Sequence, residues 1–289
     1  MILLLIFAAA VAGFAQTKIG ISGAVEWDTM QIRAQASLDL ASAGIRIPSG
    51  RTQGESLLGS GYLNLIQPEI LKLQVDSSST IGDLVNRGEF SLLETEAFAQ
   101  KAKSVPPALS ADLGSMFTSY TMQLSSIISA LIRHNSPSPI IRTLNPVSSA
   151  PYTGIIIIAS EALPVHGKRI STLPIPCLFP KIWDSDMNLI FERNMLDTQN
   201  TTMVRYASLQ SIFQNNPSGL TPELIAAVGE RPLRIFARGV FGINPTDLII
   251  DHSDSLLIIS SESNRRLLTE GRVVIILDDS VLRQEFSGQ

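Results

Sequence analysis

The run Asp184-Ser185-Asp186-Met187-Asn188 sets oxygen-bearing side chains at alternate positions, the spacing with which a calcium loop opens. Completing that loop takes a glycine at the sixth position and a bidentate glutamate at the twelfth. Leu189 and Met195 stand there instead. Calcium at Asp184, Asp186 and Asn188 is therefore a weak candidate, and a polar hairpin turn is the simpler reading. The three histidines, His134, His166 and His252, are scattered along the chain. No two have the spacing of a metal pair, and one cysteine, Cys177, cannot build a zinc site. Asp251-His252-Ser253 holds the residue types of a hydrolytic triad, but sequence neighbours point in different directions and a triad is a spatial arrangement. No G-x-S-x-G occurs, and no Gly-Lys-Ser/Thr follows the glycines at 50, 54, 59 and 61. Cys177, between Pro176 and Leu178, reads as a small buried hydrophobe. These residues imply no cofactor and a non-enzymatic protein. The competing readings are a secreted hydrolase using Asp184, Asp186 or His166, and a ligand-binding module.

Composition narrows the setting. The 289 residues are 45% hydrophobic and only 17% charged, which implies many buried strands under a Ser/Thr/Asn-rich surface. A net charge of −4 without a Lys/Arg cluster excludes nucleic acid as a partner. Residues 2–14 are an unbroken apolar run, and Gly13 and Ala15 are small residues at −3 and −1 of a cleavage site before Gln16. That pattern is a secretory signal peptide, although no Lys or Arg precedes it. The expected location is the periplasm or beyond, with peripheral membrane association left open. A lipid anchor would need a Cys after the signal, where Gln16 stands.

The elements that must position the polar residues are strands and helices in an α+β chain, with mixed and antiparallel sheets and packed helices. The expected organisation is a signal peptide over 1–15, an N-terminal α+β domain with a helical insert over 16–134, a Pro/Ser-rich connection over 135–150 and a C-terminal α+β sheet domain over 151–289. Residues 18–27 read as a short strand. Met30 to Leu40 and Met116 to Leu124 alternate with period 2, predicting two long paired strands, the second continuing toward Ile132. Leucines from Leu57 to Ile66 have helical spacing, and Pro68 should open a separate short helix. Thr80 and Thr221-Pro222 are helix starts. The run Ile155 to Ile158 reads as a strand buried on both faces at the centre of a sheet. Strands flank the 184–186 turn as a hairpin. Leu233, Ile235, Ala237, Gly239 and Phe241 mark another strand, with Arg234, Phe236, Arg238 and Val240 on its other face. Val273 to Leu277 is expected as the closing core strand.

The stretches Tyr152-Thr153-Gly154 with its isoleucines, Leu178-Phe179-Pro180-Lys181-Ile182-Trp183-Asp184, and Arg234-Ile235-Phe236-Ala237-Arg238-Gly239-Val240 resemble secreted bacterial envelope proteins. So do Asn244-Pro245-Thr246-Asp247-Leu248-Ile249-Ile250, Asn264-Arg265-Arg266-Leu267-Leu268 and the strand from Gly271. The resemblance is to the flagellar assembly lipoprotein family that includes FlgP, over roughly residues 18–45 and 150–278. It implies a structural envelope protein that forms homo-oligomeric rings or docks to envelope or flagellar-motor proteins. This chain departs from the family in lacking the lipid-bearing Cys and in the insert from Arg51 to Lys103. Loops on a rigid sheet commonly carry contacts, which singles out Val165, His166, Lys168 and Arg169, and Asn244, Thr246 and Asp247, as interaction residues.

The cleavage site gives a direct expectation. N-terminal sequencing of exported protein should start at Gln16, whereas a soluble cytoplasmic form beginning at Met1 would refute export.

Overall fold

Along Gln31–Asp39 the side chains Ile32, Ala34, Ala36 and Leu38 are buried, while Arg33, Gln35, Ser37 and Asp39 face solvent. That is the pleat of a half-buried strand. The computed structural model describes residues 19–288; the expected signal segment and its junction lie outside them. From the start of the chain, β1 (Ile19–Glu26) and β2 (Gln31–Asp39) form a hairpin. The long helix α1 (Arg51–Leu71) follows. Then come β3 (Gln74–Asp76), β4 (Ser79–Thr80), α2 (Ile81–Asn86), α3 (Leu92–Gln100), β5 (Lys103–Ser104), β6 (Ala108–Leu109), β7 (Ser115–Gln123) and α4 (Leu124–Leu131). As expected, β7 pairs with β2, antiparallel along its whole length.

Two local expectations fail for identifiable reasons. Helix α1 runs through Pro68 without a break. Its stripe Leu58, Tyr62, Ile66 and Ile70 is buried against the sheet, and that packing holds the last turn despite the lost N–H. Strand β7 stops at Gln123 and does not continue toward Ile132. Leu124, Ile127, Ile128 and Leu131 recur at i, i+3, i+4 and i+7, and the chain buries them as one helical face. Thr80 does cap α2, in a reciprocal capping box with Asp83.

After a stretch without helix or strand come β8 (Ile155–Ile158), β9 (Leu163–Pro164), β10 (Ser171–Thr172), β11 (Ile182–Asp184), β12 (Leu189–Phe191) and β13 (Arg205–Ser208). The chain continues with α5 (Pro222–Val228), β14 (Leu233–Phe241), β15 (Asp247–Ile250), α6 (His252–Ile259), α7 (Glu262–Thr269), β16 (Val273–Leu277), α8 (Asp279–Leu282) and β17 (Arg283–Gly288). The second sheet runs in the order β12-β11-β15-β14-β8-β16-β13. Strand β8 lies inside it, parallel to β14 and β16. Ile155 and Ile157 pack into the main core, and Ile156 packs with Leu224 and Val228 of α5 on the opposite face. Ile158, at the strand's end, is only half-buried. The 182–191 hairpin sits at the sheet edge and not at its centre. A register shift between Ala237 and Gly239 buries Val240, which sequence alternation puts on the same face as Arg234, Phe236 and Arg238, all three exposed.

The fold is α+β, as its sequence predicts. The closing strand, however, is β17, which leaves the second sheet and adds to the first in the order β17-β1-β2-β7-β5, with β6 also on β7. One continuous hydrophobic cluster joins both sheets. The connection over 135–150 is likewise tied down. Buried Asn264 donates to Ser149 Oγ and to the carbonyls of Ala150 and Leu257, and accepts from the Tyr152 N–H.

Replacing Asn264 by Ala strands those groups and should cost about 1–3 kcal/mol. Ile156→Ala should cost about 2–4 kcal/mol. Urea denaturation measures both, and a neutral result for either would contradict the packing described.

Candidate functional site

Strands β11 and β15 are parallel, with Asp184 opposite Ile250. The chain leaves both strands on the same side of the sheet, so the 185–188 turn meets the first residues of α6. This register brings His252 to Asp184 and Asp186, residues more than 60 positions away in sequence. Asp184 is almost fully buried. Its Oδ1 accepts from the backbone N–H of Asp186 at 3.1 Å and of Asn188 at 2.8 Å. Its Oδ2 accepts from Asn188 Nδ2 and His252 Nδ1, both at 2.9 Å, and Ser255 Oγ, whose proton goes to the His252 carbonyl at 2.8 Å, lies 3.4 Å from it. Asp186 Oδ2 approaches the same Nδ1 at 3.3 Å. His252 also docks through its backbone, donating its N–H to Ser185 Oγ.

Burial alone would raise the Asp184 carboxyl, but the donors from Asn188, His252 and the turn backbone hold it below the usual carboxylate range. The hydrogen bond to Asp184 raises the His252 imidazole, and the charges of Asp186, Asp184 and Asp251 raise it further, against a smaller opposing effect of burial. The Asp184-x-Asp186-x-Asn188 spacing is realised as a polar hairpin turn. The turn closes at Asn188, Leu189 already begins β12, and the Asn188 amide donates to Asp184. His252 takes the place beside the two aspartates, a convergence that sequence spacing does not reveal.

The other histidines stand apart. His166 is exposed and edge-on to the Phe241 ring, and His134 Nε2 donates to the Leu196 carbonyl at 2.8 Å. Among the expected interaction residues, His166, Lys168 and Arg169 are exposed and Asn244 is half-buried. Val165, Thr246 and Asp247 are buried and cannot meet a partner. Val165 is bridged to Val240, and the 244–247 turn serves an internal joint. The tip of the β3–β4 hairpin docks on it. Ser77 Oγ donates to Asp247 Oδ2 at 3.0 Å, and the Asn244 N–H donates to the Ser77 carbonyl. Gly242, in the left-handed region at φ 112°, lies against Ser77, where any Cβ would collide. Asp247 also accepts from the Lys181 N–H, from Trp183 Nε1 and from Thr246 Oγ1. Burial nonetheless dominates and raises its carboxyl. Cys177 is buried nearby, its thiol pushed up by burial. Its backbone N–H and carbonyl both bond the Tyr206 hydroxyl.

An open groove of about 870 Å³ runs across the solvent face of the first sheet. Ser22, Arg33, Gln35, Ser119, Thr121, Arg283 and Glu285 contribute to its lining. Glu26 ties three strands beneath it, pairing with Arg33 at 3.0 Å and Arg283 at 3.1 Å. Ser119 and Thr121 lie on this face, inside the sheet, because β7 pairs with β2 on one side and β5 and β6 on the other.

Fold and site together define an α+β protein of two joined sheets, with a polar open face on one and an Asp-Asp-His cluster at the edge of the other. Residues 18–131 match the family model of the N-terminal domain of Treponema pallidum Tp0624, and residues 154–279 match that of its second domain. The chain is thus similar to two domains of one treponemal protein, in the same order. No curated protein matches it.

Asp247 generates a pH dependence of defined sign. Its folded pKa is raised, so the folded state holds more protons between the ordinary and the raised value, and stability falls as pH rises through that window. Asp247→Asn removes this component. Urea midpoints from about pH 3.5 to about pH 7 should show the wild type losing stability relative to the variant as pH rises. Parallel curves would contradict the assignment.

Proposed function

We propose that the mature chain is a non-enzymatic cell-envelope protein that works by docking, to copies of itself or to other envelope proteins. The observation that carries this reading is the solvent face of the first sheet. It is broad, polar and open, with its charged side chains fixed by the Glu26 ion pairs. Small-molecule sites are usually enclosed and apolar, whereas a face of this shape suits a flat macromolecular partner. The signal-peptide pattern supports an extracytoplasmic setting. Flagellar-motor proteins are among the envelope partners proposed, on the sequence resemblance to the flagellar assembly lipoproteins alone.

The hydrolase reading finds less support in the cluster at Asp184. The Ser185 hydroxyl accepts from the His252 backbone N–H, and the Ser255 hydroxyl donates to the His252 carbonyl, so both engage the main chain of His252 and not its ring as a nucleophile–base pair would.

Ser119→Arg and Thr121→Arg put bulk and charge into the groove at solvent-facing positions. Each should abolish the self-association or partner capture seen by light scattering and co-purification of the chain from Gln16, with the melting temperature nearly unchanged. A monomeric wild type that captures no partner, or variants that assemble normally, would refute docking through this face.

A further inference from the structure

Asp184, Asp186 and His252 bring one ligand-type atom each into a single small space, from two segments that meet only in the fold. We propose that this convergence is a binding site for a divalent transition-metal ion, with zinc as the probe, tying the β11–β12 turn to the start of α6.

The spacing fits such an ion. His252 Nδ1 lies 2.9 Å from Asp184 Oδ2 and 3.3 Å from Asp186 Oδ2, and all three atoms fall within 4.8 Å of one another. Tetrahedral zinc with bonds of about 2.0–2.1 Å holds neighbouring ligand atoms about 3.3–3.4 Å apart. Asp186 and His252 are both solvent-accessible, and movement of their side chains by about an ångström would bring the three atoms to that spacing and leave the fourth position to water. The donor set selects the class of metal. An imidazole nitrogen beside two carboxylates suits zinc and its first-row neighbours, whereas calcium and magnesium take oxygen ligands.

Charge points the same way. One Nδ1–H faces two carboxylates and cannot fully satisfy both. Asp251 and Asp254 add negative charge at the same helix start, and the nearby Arg238 is engaged with Asp251 at 3.2 Å. A doubly charged cation balances this excess, although the positive end of α6 opposes it. The outer support of a metal ligand is also in place. Backbone N–H groups of Asp186 and Asn188 fix Asp184 Oδ1, which aims Oδ2 at the shared space, and Asn188 Nδ2 steadies that oxygen. Such surrounding bonds orient metal ligands in known sites.

The test uses the full mature chain, stripped with chelator and titrated with Zn²⁺, Co²⁺ and Ca²⁺. The expected result is one zinc per chain, a melting temperature raised by several degrees, and intense visible absorption from tetrahedral cobalt. Nitrogen NMR of the wild-type imidazole should place the zinc on Nδ1, a readout that needs no variant. His252→Gln and Asp186→Asn leave the buried Asp184 anchor in place, and each should weaken zinc by at least about tenfold. Absence of zinc binding at about 100 μM, equal binding by both variants, zinc on another histidine, or calcium binding as tight as zinc would each overturn the proposal.

Discussion

The return of β17 to the first sheet is the constraint on which the rest of the architecture depends. Its register sets Arg283 opposite Glu26 and Phe286 opposite Gly23. A side chain larger than hydrogen at residue 23 would strike Arg33, Ala34 and Phe286, so the glycine lets three strands close over one point. Through α8, β17 is continuous with β16 of the second sheet, and the Leu282 carbonyl accepts from the Trp27 N–H. Trp27 is fully buried and meets the Tyr206 ring edge-on, while Tyr206 holds both backbone groups of Cys177. The two sheets are thereby coupled through packed aromatic and backbone contacts, and neither core is complete without residues from the other.

A second joint lies at Asp247, with a different physical character. There a carboxylate is taken out of water and given four donors, with no ion pair to it among the described residues. Burying an ion this way costs stability unless its donors are well placed. What it confers is orientation: Ser77, Lys181 and Trp183 must all adopt one arrangement for the carboxylate to be satisfied. The same logic holds at Asp184, where the acceptor set organises a turn containing Met187 in the left-handed region at φ 60°. That backbone is unfavourable for a long side chain and persists because four donors converge on the carboxylate behind it.

Period-2 alternation made β2 and β7 legible, and their pairing followed from matched length. The isoleucine run was legible as a two-faced core strand because only a strand covered on both sides tolerates four such residues in succession. The end of β7 was not, since Leu124 to Leu131 is apolar enough to satisfy either period, and packing decided for the helix. Pro68 misleads because local propensity is weaker than the burial of Tyr62, Ile66 and Ile70 around it. The Asp-x-Asp half of the candidate site was visible as a polar turn. His252 was not, because nothing local marks that β11 and β15 are parallel neighbours, and that pairing is what brings the imidazole in. Asp247 illustrates the converse: its turn signature is genuine, but a turn can face inward when another hairpin covers it.

These couplings bear on how the two matched segments relate. The match to the Tp0624 N-terminal domain spans 18–131, yet the sheet built from those residues has β17 as its outer strand. Without β17, Glu26 loses Arg283, β1 exposes its backbone edge, and the Phe286 ring no longer covers Gly23. An uncovered edge of that length is a template for strand addition. The first unit therefore depends on residues beyond the second for its closure. In return β17 presents charged residues, Arg283 and Glu285, along the edge that remains, which disfavours indiscriminate strand pairing. Under the docking proposal, a partner would therefore be received on the polar face beside that edge, where fixed charges set orientation, rather than by extension of the sheet itself.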